Sequence, residues 1–425
     1  MTAERAVEIA AKAVEAGGTL HASAFVSFDR VASVRFGKNS ITQNQDTGSV
    51  SVTLTVGDGS RKASVSFEDT TPESMERAAS KARTLMEASP ADPEYMPPPE
   101  EGQVYPFISD SLDPEAAECP VQRRIEAVKG LIDTAEGFGL EAGGICSNVH
   151  TVMAHASSTG NLASHEKTAV TLSFTMDRGS ASSFRQLHHE SWGSIPWREA
   201  SEQVAREALA NADQRDGEPG EYSIIFEPQA VADLLPFLAW SMDARRADEG
   251  LTVFSGMQGK QLSGQRFTLR SDPDGPAKGI PFNDEGVPSR DSVWIRNGTL
   301  ENLACDRYWA AKTGREPLFL PDCLEMKGDA GSTRDLIRKT TRGILVRRLW
   351  YIRFVDQKTL LLTGMTRDGV FMVRDGRTEE PIRDFRWNWR PLELFERIEA
   401  LGAPERKSYA FVPPVVVGGV KFPCV

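Results

Sequence analysis

The order in which two hydrophobic periods appear constrains this chain most. Residues 3–16 put Ala6, Ala10, Ala13 and Val14 on one helical stripe, which Gly17-Gly18 ends. Alternating runs follow at 21–28, 31–36, 50–56 and 62–67, the last two joined through Gly57-Asp58-Gly59, a hairpin signal. Thr71 before Pro72 then caps a helix whose Met75, Ala78, Ala79, Ala82, Leu85 and Met86 share one face. Beyond a proline-rich connector at 89–106 the same order returns. A helix over 120–135 carries Ile125, Val128 and Ile132, strands follow at 149–155, 169–176 and 182–189, and a helix covers 197–210. The layout repeats without residue-level self-similarity.

A turn-rich break at 213–222 precedes a strand at 222–226 and an apolar helix from Pro228 to about Met242, so a boundary is expected here, dividing 1–218 from 219–425. After Val253 short strand runs sit between glycine turns, at 265–269, 293–295, 343–355, 359–362 and 369–373. Helical spacing returns over 391–401, and 409–420 reads as a closing strand. The expected class is α+β: an α/β first domain of antiparallel sheet and helices, then a mostly β domain.

At 425 residues the chain is long enough for two or three domains. Lys plus Arg number 49 against 60 Asp plus Glu, a net charge of -11 that opposes binding to phosphate backbones, so no nucleic-acid partner is expected. The five cysteines are far apart and never form a CxxC pair, which argues for a reducing cytoplasm and against a cysteine-held zinc. The charged N-terminus lacks a secretory apolar core, and the longest uncharged apolar stretch, 408–420, is too short for a bilayer. A cytoplasmic protein without membrane or cofactor is expected.

All six histidines precede residue 190, and no GxSxG elbow is present, which disfavours a hydrolase built on a Ser-His-Asp or Cys-His set. His188-His189-Glu190 is the densest ligand-like cluster, but neighbouring strand residues point to opposite faces, and a solvated strand end is the expected reading. Asp284 and Glu285 precede Gly286. Paired carboxylates can divide acid and base roles, although Asp-Glu-Gly is also ordinary turn chemistry. Residues 334–353 hold seven Arg or Lys against Asp335. They are expected mainly to pair with the acidic surplus elsewhere, with docking of an anionic group as the alternative. Thr363 to Gly369 reads as a hairpin turn with an Arg367-Asp368 pair, or a loop that a substrate backbone approaches.

Six segments of the C-terminal half resemble the TldD/PmbA family, sometimes called modulators of DNA gyrase: PGEYSIIFEPQAVADLL (219–235), SDPDGPAKGIPFNDEGVPSR (271–290), GTLENLACDRYWAAKTG (298–314), RGILVRRLWYIR (342–353), TGMTRDGVFMVRDG (363–376) and FRWNWRPLELFERIEALG (385–402). The N-terminal half resembles it more softly, through its helix-strand layout and the DPEYMPPPE connector. The resemblance implies a two-layer α/β N-terminal domain, a largely β C-terminal domain and a dimer around an internal cavity. It also implies a metallopeptidase subunit, TldD, whose HExxxH helix and distant cysteine hold zinc; histidines four apart share a helix face, and the glutamate activates metal-bound water.

This chain departs from that pattern. The corresponding segment, 224–238, offers Glu227, Gln229 and Asp233 without histidine, and Gly402 runs almost directly into the final strand, leaving Cys424 with no ligand role. The resemblance therefore points to the metal-lacking TldE/PmbA side, with no metal ligands of its own and with either a second copy or a zinc-bearing TldD-like subunit as partner, acting on peptides. Expected substrate-binding residues are Arg353, Arg367, Asp368 and Tyr308. The alternative is a metal-independent homodimeric enzyme or peptide-binding protein in which Asp284 and Glu285 act with those arginines.

Overall fold

The computed structural model describes residues 1–319 and 323–422. Its N-terminal half is built on a six-stranded antiparallel sheet of β1 (His21–Gly37), β2 (Ser40–Gly57), β3 (Lys62–Phe67), β4 (Glu141–Ser157), β5 (Leu162–Arg178) and β6 (Ala181–His189). The strand order is β3-β2-β1-β4-β5-β6, so two three-stranded units meet at the β1/β4 pair. Around it lie α1 (Ala3–Gly17), α2 (Pro72–Ala88), the short α3 (Pro114–Ala117), α4 (Val121–Gly137) and α5 (Trp197–Ala210). The succession helix, three strands, helix thus occurs twice.

Alternation decides which sheet face the helices cover. Ala24, Val26, Val52, Leu54 and Val56 pack against Ala6, Ile9 and Ala10 of α1 and Ala79 and Ala82 of α2. In the other three-stranded unit Cys146, Leu172, Phe174 and Met176 meet Val128 and Leu131 of α4 and Val204 and Ala205 of α5. Thr71 caps α2 by accepting from the Ser74 amide (3.4 Å), with Pro72 following it. The helices therefore leave one sheet face uncovered.

The runs at 21–28 and 31–36, expected as separate strands, are one 17-residue strand. Asp29 and Arg30 stay in register with both neighbours because each charge has a partner. Asp29 accepts from Thr151 Oγ1 (2.6 Å), and Arg30 pairs with Asp46 (3.0 Å) and Glu118 (3.1 Å). β2 begins ten residues earlier than its apolar run, through exposed polar residues paired with β1 alone.

In the C-terminal half a pair of sheets encloses a core. One contains β7 (Gly220–Phe226), β12 (Arg342–Asp356), β13 (Leu361–Arg374), β14 (Arg377–Pro381), β16 (Ile398–Leu401) and β19 (Val415–Phe422), ordered β14-β13-β12-β7-β19-β16, with β15 (Arg386–Trp389) also on β13. The other contains β8 (Leu269–Ser271), β9 (Ser292–Arg296), β10 (Thr299–Leu300), β11 (Leu324–Met326), β17 (Glu405–Lys407) and β18 (Ala410–Val412), ordered β10-β9-β8-β11-β18-β17. Helix α6 (Pro228–Ser241) contacts β12 of one sheet and β17 and β18 of the other, and its Val231, Leu234 and Leu238 enter a core with Phe226, Trp294 and Val346. Shorter helices α7 (Ala244–Asp248), α8 (Arg307–Thr313), α9 (Thr333–Lys339) and α10 (Pro391–Glu396) lie in the connections.

Three expectations for the C-terminal half are corrected. Thr363 to Gly369 is no hairpin turn: these residues run inside β13, where Gly364 lies under Trp387 and the pairing with β12 shifts between Val346 and Arg348. Asp368 (φ +60°) and Gly369 (φ +133°) mark a bulge, which uses the same residue types as a turn. The helical spacing at 391–401 is a short helix followed by strand β16. The closing strand is two strands in different sheets, divided at Pro413-Pro414, where a prolyl nitrogen has no hydrogen to give a ladder. Cys424 lies outside the described residues, while Cys119, Cys146 and Cys305 are buried and in no disulfide. No helix among the described residues is long and apolar enough to cross a membrane.

Helices α4 and α5 touch where Gly130 meets Trp197, and a Cβ at Gly130 would lie 2.3 Å from the indole. Gly130→Ala should therefore lower stability by about 1–3 kcal/mol through overpacking. A melting temperature equal to that of wild type would contradict this contact.

Candidate functional site

The helix-free face of the first sheet is met by loops of the C-terminal half. Phe25, Met153 and Ala163 pack on Phe282 and Tyr105, and the Tyr105 hydroxyl donates to the Gly286 carbonyl (3.1 Å). Gly286 (φ +75°) lies directly on the His155 ring, where a Cβ would come within 2.3 Å of a ring atom. His155 is fully buried and both its nitrogens lack a hydrogen-bond partner; burial, aided by the charge of Arg307, pushes its pKa down to about 4, so the ring is neutral. Polar ties flank this contact. Ser109 donates through its amide (2.8 Å) and hydroxyl (2.7 Å) to Asp274, Arg245 forks onto Glu94 (2.9 Å for each bond), and Arg406 forks onto buried Glu190.

The last of these pairs overturns the solvated reading of His188-His189-Glu190. Glu190 is 6% exposed and clamped across the interface, and burial together with Arg406 holds His188 neutral, at about 4. Among the described residues no group of three or more His, Cys, Asp or Glu side chains is arranged to hold a metal ion.

Where the loops do not touch the sheet a cavity of about 570 Å³ remains. The sheet contributes Phe25, Thr53, Thr55 and Ser64, and the C-terminal half contributes Asp284, Glu285, Arg307 and Tyr308. A second cavity of about 410 Å³ shares Asp284, Glu285, Asp306 and Arg307 and continues toward Trp240 and Arg246. The turn is held from within, because Asn283 Oδ1 accepts from the amides of Glu285 (3.1 Å) and Val287 (2.9 Å). Surrounding protein raises the Glu285 carboxyl above its ordinary range, with Arg307 opposing. Asp306 caps α8 by accepting from the Trp309 amide (2.6 Å), which sets Arg307 and Tyr308 at the helix start.

Of the six site residues that the sequence points to, the structure brings together three: Asp284, Glu285 and Tyr308 line the larger cavity. Asp368 is buried on the bulge and pairs with Arg348 (3.0 Å) at a separate cavity of about 200 Å³ beside α6. Arg367 stacks on Trp350, 5.1 Å from the ring centre, and Arg353 stacks on Tyr351 at 4.5 Å; neither lines these cavities. Arg307, which the sequence does not single out, is common to the two adjoining cavities.

On α6, at the position where the family resemblance puts the zinc motif, side chains satisfy one another. Gln229 Nε2 donates to Asp233 Oδ1 (2.9 Å), and the Leu349 amide donates to Asp233 Oδ2 (2.9 Å). Arg347 lies 3.7 Å from Glu227 and 2.7 Å from Glu207 of α5, which also pairs with Arg185 (3.0 Å). Arg347 therefore serves Glu207 closely and Glu227 more loosely, and the set, with neither imidazole nor thiolate, does not suit zinc, which prefers those donors. Most of the basic run is likewise internally matched: Arg347 and Arg348 have carboxylate partners, Arg338 pairs with Asp335 (3.4 Å), and Arg342 lies over the Tyr222 ring.

Residues 22–85 match the family model for PmbA/TldA metallopeptidase domain 1, and 219–423 match that for the PmbA/TldA metallopeptidase C-terminal domain. The chain belongs to the PmbA/TldD family. It is 23% identical over 312 residues to a metalloprotease of Methanothermobacter thermautotrophicus, covering 67% of this chain and 65% of that protein's length. Its fold is similar to TldE from Thermococcus kodakarensis (TM-score 0.88, 18% identity, 97% of this chain and 99% of that one). It is also similar to a candidate modulator of DNA gyrase from Bacteroides thetaiotaomicron (TM-score 0.86, 16% identity, 99% of each chain). At these identities the shared property is the fold.

Burial raises the Asp233 carboxyl to about 6, outweighing its two hydrogen bonds and the charge of Arg348. The folded-state value thus lies above the unfolded one near 3.9, so the stability it brings is complete below about pH 4 and is lost as pH rises through about 6. Asp233→Asn should remove that loss, shifting stability relative to wild type in the variant's favour by on the order of 1–3 kcal/mol from pH 4 to 7. Chemical denaturation across this range checks it; a constant difference would contradict the assignment.

Proposed function

We propose that this chain is the TldE-like, metal-lacking subunit of a peptide-processing complex, paired with a zinc-bearing TldD-like relative that supplies the metal chemistry. The α6 network carries the reading: Gln229 and Asp233 bond each other, and Arg347 is set between Glu227 and Glu207, so the positions at issue are occupied by mutual contacts rather than presented to an ion. The C-terminal half would be an independent unit from residue 219, the start of the C-terminal family match, and would complete the enclosure of the peptide with the first sheet. Peptide contact is assigned to the larger cavity, with Asp284, Glu285 and Tyr308 on its wall. Arg353 and Arg367, stacked on exposed Tyr351 and Trp350, are assigned to the rim or to the partner. A cytoplasmic location is in keeping with five widely spaced cysteines and no CxxC pair in the sequence, and with this role.

One observation favours the alternative of a metal-independent peptide-binding homodimer: Glu285 has a raised pKa and stands in a cavity with Arg307. It supports binding in either assembly. Reconstitution separates them. Mixing the purified chain with a zinc-bearing relative encoded by the same genome should give a stable complex by sedimentation and chelator-sensitive cleavage of unfolded peptides, which neither protein shows alone. A homodimer that ignores the relative, or one that cleaves by itself, would overturn the subunit reading.

A further inference from the structure

Arg307 differs from the arginines around it. Arg245 holds Glu94, Arg315 holds Asp248, Arg270 holds Glu325 and Arg296 holds Glu301. Arg307 is partly buried at the start of α8 and lines both adjoining cavities, and its guanidinium makes no hydrogen bond or ion pair with any described residue. Burial holds its guanidinium below the ordinary arginine value, with only the charge of Glu285 opposing. A half-buried guanidinium without a protein acceptor keeps its N–H groups for water in the cavity or for a ligand that enters it.

The neighbouring carboxylates do not occupy these donors. Neither Glu285 nor Asp284 forms an ion pair with it, and their turn is fixed by Asn283, by the Tyr105 hydroxyl on Gly286 and by the close seat of Gly286 on His155. The opposite wall is the strand surface of β2 and β3, where Thr55 and Ser64 hydroxyls bond each other at 2.7 Å and share the lining with Phe25. At about 570 Å³ the cavity falls within the range of ligand sites, roughly 300–1,000 Å³, and has room for more than one residue of an extended chain.

We propose that this cavity binds the free carboxy-terminal end of an extended peptide, with Arg307 as the receptor for its carboxylate. The guanidinium fork matches a carboxylate in two parallel hydrogen bonds. The lining also contains Asp92, Glu94, Asp284, Glu285 and Asp306, which repel a doubly charged phosphate more strongly than a singly charged carboxylate. The hydroxyl-bearing strand wall and Tyr308 accommodate the residues behind the terminus. This rests on the reading of the chain as a peptide-handling protein, yet it is independent of which partner it takes.

The test is fluorescence polarisation with one short unstructured peptide, labelled at its N-terminus and prepared both with a free carboxylate and as the C-terminal amide, titrated with the full chain. Wild type should prefer the free acid by about tenfold or more, the worth of one charge-assisted contact. Arg307→Ala should bind both forms equally, Arg307→Lys should keep some of the preference, and Glu285→Gln, by removing a competing anion, should increase it. Thermal melts establish that each variant is folded, and Glu285→Gln decides the matter should Arg307→Ala not fold. Equal binding of acid and amide by wild type, no binding of either form, or a preference that survives Arg307→Ala would overturn the proposal. Assembly of wild type with the zinc-bearing relative is read separately by sedimentation, so its failure would strike the subunit reading and leave the carboxylate result standing.

Discussion

The helices flanking the first sheet cover one of its faces, and the other has to be met by the rest of the chain or by water. This constraint organises the molecule. Phe25, Met153 and Ala163 on the uncovered face need apolar company and obtain it from Phe282, while the neighbouring Thr53, Thr55 and Ser64 tolerate solvent and face the cavity. The larger cavity is thus the area of the sheet that the C-terminal half of the chain does not reach. Glu94–Arg245 ties one of its edges, while Glu190–Arg406 joins the two halves farther along the sheet, at a separate cavity. Removing one member of the second pair would leave a buried charge behind, so the relative placement of the two halves is coupled to the protonation and integrity of a few side chains.

Helix α6 shows how a chain can retain the family architecture while its side chains answer a different demand. Val231, Leu234 and Leu238 pack between the two sheets, and that requirement is independent of what the polar face carries. On the polar face Glu227, Gln229 and Asp233 are matched by Arg347, by each other and by the β12 backbone. Arg347 of β12 also pairs with Glu207 of α5, which ties the C-terminal half to a helix packed on the first sheet. Neutralisation by guanidinium is permanent, whereas neutralisation by a metal depends on supply.

Much of this was legible in the sequence where local chemistry and tertiary context agree. The Thr71-Pro72 cap, the Gly57-Asp58-Gly59 hairpin and the amphipathic helix at Trp197–Ala210 stand where the periodicity puts them. The polar stretch before Val50 was not legible as a strand, because its pairing with β1 is the whole of its support and leaves no apolar alternation. The glycines of β13 misled because Gly364 makes room for Trp387 and Gly369 serves a bulge, and both demands select the residue that also makes turns. Asp284 and Glu285 could be named from their turn. Arg307 could not, since its distinction is a cavity-lining guanidinium with no hydrogen bond or ion pair to a described residue, and that belongs to three dimensions alone.

The central claim is that the polar face of α6 is closed on itself, so that metal chemistry must come from another chain. Elemental analysis of the purified protein after dialysis against zinc, at neutral pH, tests it most directly. The account predicts far less than one zinc per chain, with zinc appearing in stoichiometric amount only once a zinc-bearing relative is bound. One tightly held zinc per chain in the isolated protein, lost together with peptidase activity on chelation, would contradict it.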